Sequence, residues 1–119
     1  MRTLLATALL AVTALSIATD ADARRKATKS EKRKIAGEMG IPPKCAIVHV
    51  STVNEKWASL KYNHRKIDVE PCDEYAADGL AILRKSRGNW FFVTAGSSFE
   101  CPIDEVPPKV QKDLKIPCY

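Results

Sequence analysis

Four cysteines, Cys45, Cys72, Cys101 and Cys118, constrain this 119-residue chain more than any other feature. An even number of cysteines in a short exported chain implies a disulfide framework. A domain of this size buries a limited core, so covalent links carry a large share of its stability. Four cysteines permit three pairings, and spacing alone does not choose among them. Cys45 with Cys72 and Cys101 with Cys118 are preferred because each closes a modest local loop. The second of these bridges contributes about 3 kcal/mol in the loop-entropy description. A zinc site is a poor alternative, since no two cysteines have the close spacing such sites use and only His49 and His64 are available. No metal or cofactor is expected.

The premise of export comes from the N-terminus. Arg2 is followed by an uncharged run from Thr3 to Thr19 rich in Leu, Ala, Val and Ile, and Ala21-Asp22-Ala23 has the small-x-small pattern of a peptidase site. Residues 1–23 therefore read as a signal peptide, cut after Ala23. A membrane anchor needs about 20 mostly apolar residues, and Asp20 and Asp22 interrupt this run too early. The pair Arg24-Arg25 follows the apolar core, whereas a twin-arginine signal precedes it. The mature protein is expected to be secreted, extracellular and monomeric, with no integral membrane segment.

Removal of residues 1–23 takes away Arg2, Asp20 and Asp22. Of the 19 basic and 14 acidic residues of the full chain, 18 and 12 remain, and the net charge moves from +5 to +6. The distribution is uneven: residues 24–40 hold seven basic and two acidic side chains, while residues 41–119 hold 11 and 10. The division is thus a basic N-terminal arm with a short helix at 24–40 and a disulfide-stabilised domain at 41–119.

Residues 24–28 are basic and polar and are expected to be disordered. Thr28 and Glu31 have the spacing of a capping box, and Ile35 and Met39 lie four apart before Gly40, which predicts a helix over 29–39 ended by a left-handed glycine. Pro42-Pro43 stops that element. Residues 45–52 read as a strand, and Ala58, Leu60 and Tyr62 alternate with Ser59 and Lys61 in the period of a second strand. Residues 63–78 read as a loop pinned by Cys72. Segments 79–85 and 90–95 flank Ser86-Arg87-Gly88-Asn89, where Gly88-Asn89 is expected to supply the positive backbone angles of a tight hairpin. Pro107-Pro108 opens a short C-terminal helix with Val110 and Leu114 on one side. The expected class is α+β: an antiparallel sheet of about four strands with short N- and C-terminal helices.

Val50-Ser51-Thr52-Val53 before Trp57-Ala58, Asp78-Gly79 before Ile82-Leu83-Arg84-Lys85, Gly88 with Trp90, Gly96 with Cys101-Pro102, and Val106-Pro107 before Val110, Leu114 and Cys118 form a pattern over residues 35–118. That pattern resembles an uncharacterised family of small secreted actinobacterial proteins. The resemblance implies secretion, paired cysteines and a shared fold; it implies no activity.

Candidate chemistry is sparse. No Gly-x-Ser-x-Gly elbow, phosphate-cradling glycine loop or dinucleotide fingerprint occurs. His49, His64, Lys61 and Arg65 are the available acid-base and anion-binding set. In a small secreted hydrolase, for example a nuclease, His49 and His64 would exchange protons with the ribose hydroxyl and the leaving oxygen. The basic arm from Arg24 to Lys34 suits an anionic cell-envelope polymer. A loop at 96–100, tethered at Cys101, would present Phe99 to an extracellular protein such as a hydrolase, with Trp57, Trp90, Phe91 and Phe92 as further aromatic surface. The poverty of catalytic groups favours a non-catalytic binding or interaction module over an enzyme.

Overall fold

The computed structural model describes residues 24–66, 68–75 and 78–119, and the expected signal peptide lies outside them. Five antiparallel strands follow one another in chain order across one sheet: β1 (Arg25–Lys26), β2 (Ala46–Val50), β3 (Trp57–Tyr62), β4 (Leu80–Ser86) and β5 (Asn89–Gly96). Helix α1 (Lys29–Glu38) lies between β1 and β2 in sequence, and α2 (Pro108–Asp113) follows β5. The class is α+β, as expected, with one strand more than anticipated. Among the described residues, no helix is long and apolar enough to cross a membrane.

That extra strand is the segment expected to be disordered. Arg25 pairs with Val50 and Lys26 with His49, and the Ala27 N–H donates to the Val48 carbonyl at 3.0 Å. What holds so short a strand is electrostatic. The Arg25 guanidinium grips both carboxylate oxygens of Glu31 at 2.7 and 2.9 Å and reaches Glu55 at 3.0 Å. Glu31 also completes the capping box, accepting from the Thr28 N–H while the Thr28 hydroxyl accepts from its own N–H. One carboxylate thus locks the strand to the start of α1, and charge-assisted bidentate pairing makes that lock directional. Sequence patterning missed it because the run is basic throughout and has no strand period.

Alternation along the strands creates two apolar faces. Ala46, Val48 and Val50 of β2, Ala58 and Leu60 of β3, and Ala81 and Leu83 of β4 pack beneath Ile35 and Ala36 of α1. The Cys45–Cys72 disulfide closes this layer, where Tyr62 and Tyr75 stack at 6.3 Å. On the opposite face Trp57 and Ile82 meet Val106, Val110, Leu114 and Ile116 of the C-terminal segment. The Gln111 amide stitches that segment together, donating to the carbonyls of Ile103 and Val106 and accepting from the Ile103 N–H. Phe99 and Cys118 form a parallel bridge beside the Cys101–Cys118 disulfide. Both cysteine pairings are those preferred from loop length.

Two connections correct the sequence reading. The β4–β5 turn has positive φ at Arg87 (54°) and Gly88 (83°), one residue earlier than the Gly88-Asn89 pair, and Asn89 already opens β5. Two consecutive positive angles match the right-handed twist of the flanking strands. Phe99 does not project from its loop: it is 8% exposed and belongs to the second core. The 51–56 connection is ordered by Ser51, whose hydroxyl accepts from the N–H groups of Val53 and Asn54, and by the Asp113 carboxylate, which accepts from the Thr52 N–H at 2.7 Å.

Two stability tests follow from these ties. Arg25 is the main cause that holds the Glu31 carboxyl down at about 2 instead of 4.5, so its contribution is complete above pH 4.5 and is lost as pH falls through 2. Glu31→Gln keeps an acceptor for the Thr28 N–H but removes the ion pair, and is expected to cost up to about 1 kcal/mol at neutral pH and to flatten the urea-midpoint profile between pH 4.5 and pH 2. Replacing Cys101 and Cys118 together by alanine is expected to cost about 3 kcal/mol in the same urea titration.

Candidate functional site: a carboxylate-free cationic cavity

The C-terminal segment covers β3 and β4 but not the whole of its face of the sheet. Its apolar cluster takes in Trp57, Ile82, Leu80 and Val93, and among the described residues no β2 side chain belongs to that cluster. Ile47 and His49 of β2 are consequently half-buried on that side, whereas their neighbours Ala46, Val48 and Val50 are buried under α1. A cavity of about 280 Å³ remains there. Ile47, Leu80 and Pro117 supply its apolar wall, and Arg24, His49, Ser59, Lys61, Ser97 and Lys115 supply its polar groups.

Strand register explains why these side chains converge. His49 stands opposite Lys26 on one side and Ser59 on the other, and Lys61 pairs with Ile47, one step diagonally away. Directly opposed residues place their Cβ atoms about 5 Å apart and diagonal ones about 7–8 Å, within reach of a lysine. Arg24 precedes Lys26 by two residues and so shares its face. The Arg24 guanidinium donates to the Leu114 carbonyl at 3.1 Å, using one of the carbonyls left open at the end of α2. Lys115 follows with φ of 56°, where the chain swings out of the helix toward the cavity. Gly79 forms part of the rim with φ of 119°, and a Cβ there would meet the Gly96 carbonyl oxygen at 3.2 Å.

Among the described residues, no aspartate or glutamate lines this cavity. The electrostatic result is visible in His49, whose pKa is pushed down to about 4, first by burial and then by Arg24, Lys61, Lys26 and Lys115. Its imidazole is neutral at pH 7 and sits in a field that disfavours a further proton. Such a site offers hydrogen-bond donors in excess of acceptors. An oxyanion placed there would relieve the mutual repulsion of the surrounding cations.

The residues singled out from the sequence are only partly brought together. His49 and Lys61 share the cavity. His64 lies in the exposed turn after β3, 3.8 Å from Asp78, and is not among the cavity's lining residues; neither is Arg65. The basic arm is divided: Arg24 enters the cavity, Arg25 is consumed by Glu31 and Glu55, Lys26 pairs with His49 in the sheet, and Lys29, Lys32, Arg33 and Lys34 lie along α1. Trp57 and Trp90 are core residues, while Phe91 and Phe92 are about half exposed on the outermost strand. Sequence reasoning missed Lys115, Ser59 and Ser97. The one signal in the chain was the strand period of Ser59 and Lys61, which puts both on one face.

No family model, curated protein or solved structure matches the chain. Function is therefore read from the geometry of the site.

The field around His49 is directly measurable. Its ring protons are expected to titrate near pH 4 in a two-dimensional NMR series, and Lys61→Gln is expected to move that midpoint upward toward the ordinary value of 6.5. A midpoint of 6.5 in the unmodified protein would remove the electrostatic description of the cavity.

Proposed function

We propose that the protein is a secreted, non-catalytic binding module whose ligand presents an oxyanion to the cavity around His49. The observation that carries this reading is the convergence of three cations, an imidazole and two hydroxyls in one cavity with no carboxylate among them. A site of this composition binds negative charge as its default chemistry, because any anion inside it gains attraction from every wall. The six polar groups suit a tetrahedral oxyanion such as phosphate or sulfate better than a carboxylate, which offers fewer acceptor oxygens.

Catalysis is not part of the reading. The His49 imidazole can accept a proton, but the two-histidine hydrolysis considered from the sequence also needs a second imidazole to protonate the leaving group. His64, the partner considered from the sequence, pairs with Asp78 instead. Secretion is supported by the disulfide pairs and by the N-terminal apolar run with its Ala21-Asp22-Ala23 site. The actinobacterial resemblance is compatible with the same compartment.

Sulfate is the discriminating probe, since its charge does not change over the relevant pH range. Calorimetry at low ionic strength is expected to show one site, with Lys61→Ala and Arg24→Ala each weakening it roughly tenfold, the worth of a charge-assisted hydrogen bond. Binding and protonation are linked: a bound dianion favours the imidazolium, so affinity is expected to rise as pH falls from 7.5 to 5, and His49→Gln is expected to abolish that rise. Absence of saturable sulfate binding would sink the anion reading.

A further inference from the structure

The cavity has an open side, and the residues that continue from it are cationic. Lys115 belongs to its wall, and its N–H donates to the Lys112 carbonyl at 3.2 Å, which keeps the two residues adjacent. Lys112 and Lys109 are three apart on α2 and both are exposed, because Val110, Gln111, Asp113 and Leu114 take the buried side of that segment. Residues at this spacing share a helix face, about 4.5 Å apart along the axis. Among the described residues, no carboxylate lies within ion-pairing distance of Lys109, Lys112 or Lys115. The row ends at Asp104 and Glu105, which precede α2 and reverse the sign of the surface.

Resting on the anion-binding reading above, we infer that the ligand is a phosphate-repeat polymer: one phosphate sits in the His49 cavity and its neighbours run along Lys115, Lys112 and Lys109. A single small anion would use the cavity and leave this row idle, whereas a linked series of phosphates converts each further lysine contact into an intramolecular one. The polymer is of the base-free kind. Among the described residues, no Phe, Trp or Tyr lines the cavity and α2 contains none, so the His49 ring, half-buried in the wall, has no aromatic partner with which to form a platform for successive nucleobases. The half-exposed Phe91 and Phe92 lie on β5 in a pocket shared with Glu105, and among the described residues none of the three lysines lines that pocket.

The test compares sulfate with long-chain inorganic polyphosphate on the intact mature protein, by calorimetry or fluorescence anisotropy. The unmodified protein is expected to bind the polymer at least tenfold more tightly per chain than sulfate. K109Q together with K112Q is expected to remove most of that advantage while leaving sulfate affinity unchanged. It is also expected to lower the slope of log K against log salt by about 1.4, at about 0.7 for each phosphate no longer neutralised. R84Q together with R87Q removes the same net charge from the β4–β5 hairpin and serves as the control, expected to change neither. Equal loss in both double variants would mean net charge alone is at work and would overturn the track. So would a polymer no tighter than sulfate, or undiminished polymer binding by the Lys109 and Lys112 variant; in both cases the cavity reading stands. Failure of sulfate itself to bind would instead remove the anion-binding reading. Polyglutamate of matched charge binding as tightly as polyphosphate, or single-stranded DNA binding more tightly per phosphate, would overturn the base-free phosphate assignment.

Discussion

A sheet with two apolar faces must be covered on both, and this chain has little with which to do it. One side takes α1, which packs against β2 and β5 and places Ile35 and Ala36 in one core with β2, β3 and β4. The other takes the C-terminal segment, in which α2 spans only Pro108–Asp113. A helix this short is not stable on its own. It persists because Val110 and Leu114 are buried, Gln111 satisfies three backbone groups, and the Cys101–Cys118 disulfide ties the end of the chain to the loop after β5. Everything proposed about function depends on where that cover stops. Its apolar contacts end over β3, β4 and β5, and the uncovered part of β2 becomes the wall of the cavity.

Electrostatics divides the basic N-terminus in a way that its composition hides. Alternation along β1 sends Arg25 to Glu31 and Glu55, while Arg24 falls on the opposite face and enters the cavity. The same two-residue period therefore makes one arginine structural and leaves its neighbour for binding. The acidic partners are spent where they support the fold: Glu31 closes the capping box, and Asp113 anchors the 51–56 connection through Thr52. Their removal from the cavity leaves its positive charge uncompensated, which adds to the effect of burial in keeping His49 unprotonated.

Several features were legible because their causes are local. A capping box needs only Thr28 and Glu31 at the right spacing, and a half-buried strand shows its period in Ala58, Leu60 and Tyr62. Loop length supplied a preference among the three cysteine pairings, which the structure has, and the hairpin was legible from its glycine, although the positive angles fell at Arg87 and Gly88. Phe99 was misread because a serine-flanked loop before a cysteine resembles a displayed one. Its side chain turns inward to fill the core beneath α2, a long-range choice with no local signature.

By itself the sequence determined the α+β class, an antiparallel sheet with about four strands and the presence of paired cysteines, since these follow from periodicity, turn chemistry and cysteine count; the strand order and the choice among three pairings came with the tertiary structure. Only the tertiary structure decided which cations would meet. Arg24, His49, Lys61 and Lys115 come from four separate segments, and they converge because strand register and an incomplete cover bring their faces to one place. Register across a sheet is set by the sum of its core contacts, so residues 24 and 115 have no way to declare their proximity in the order of the amino acids.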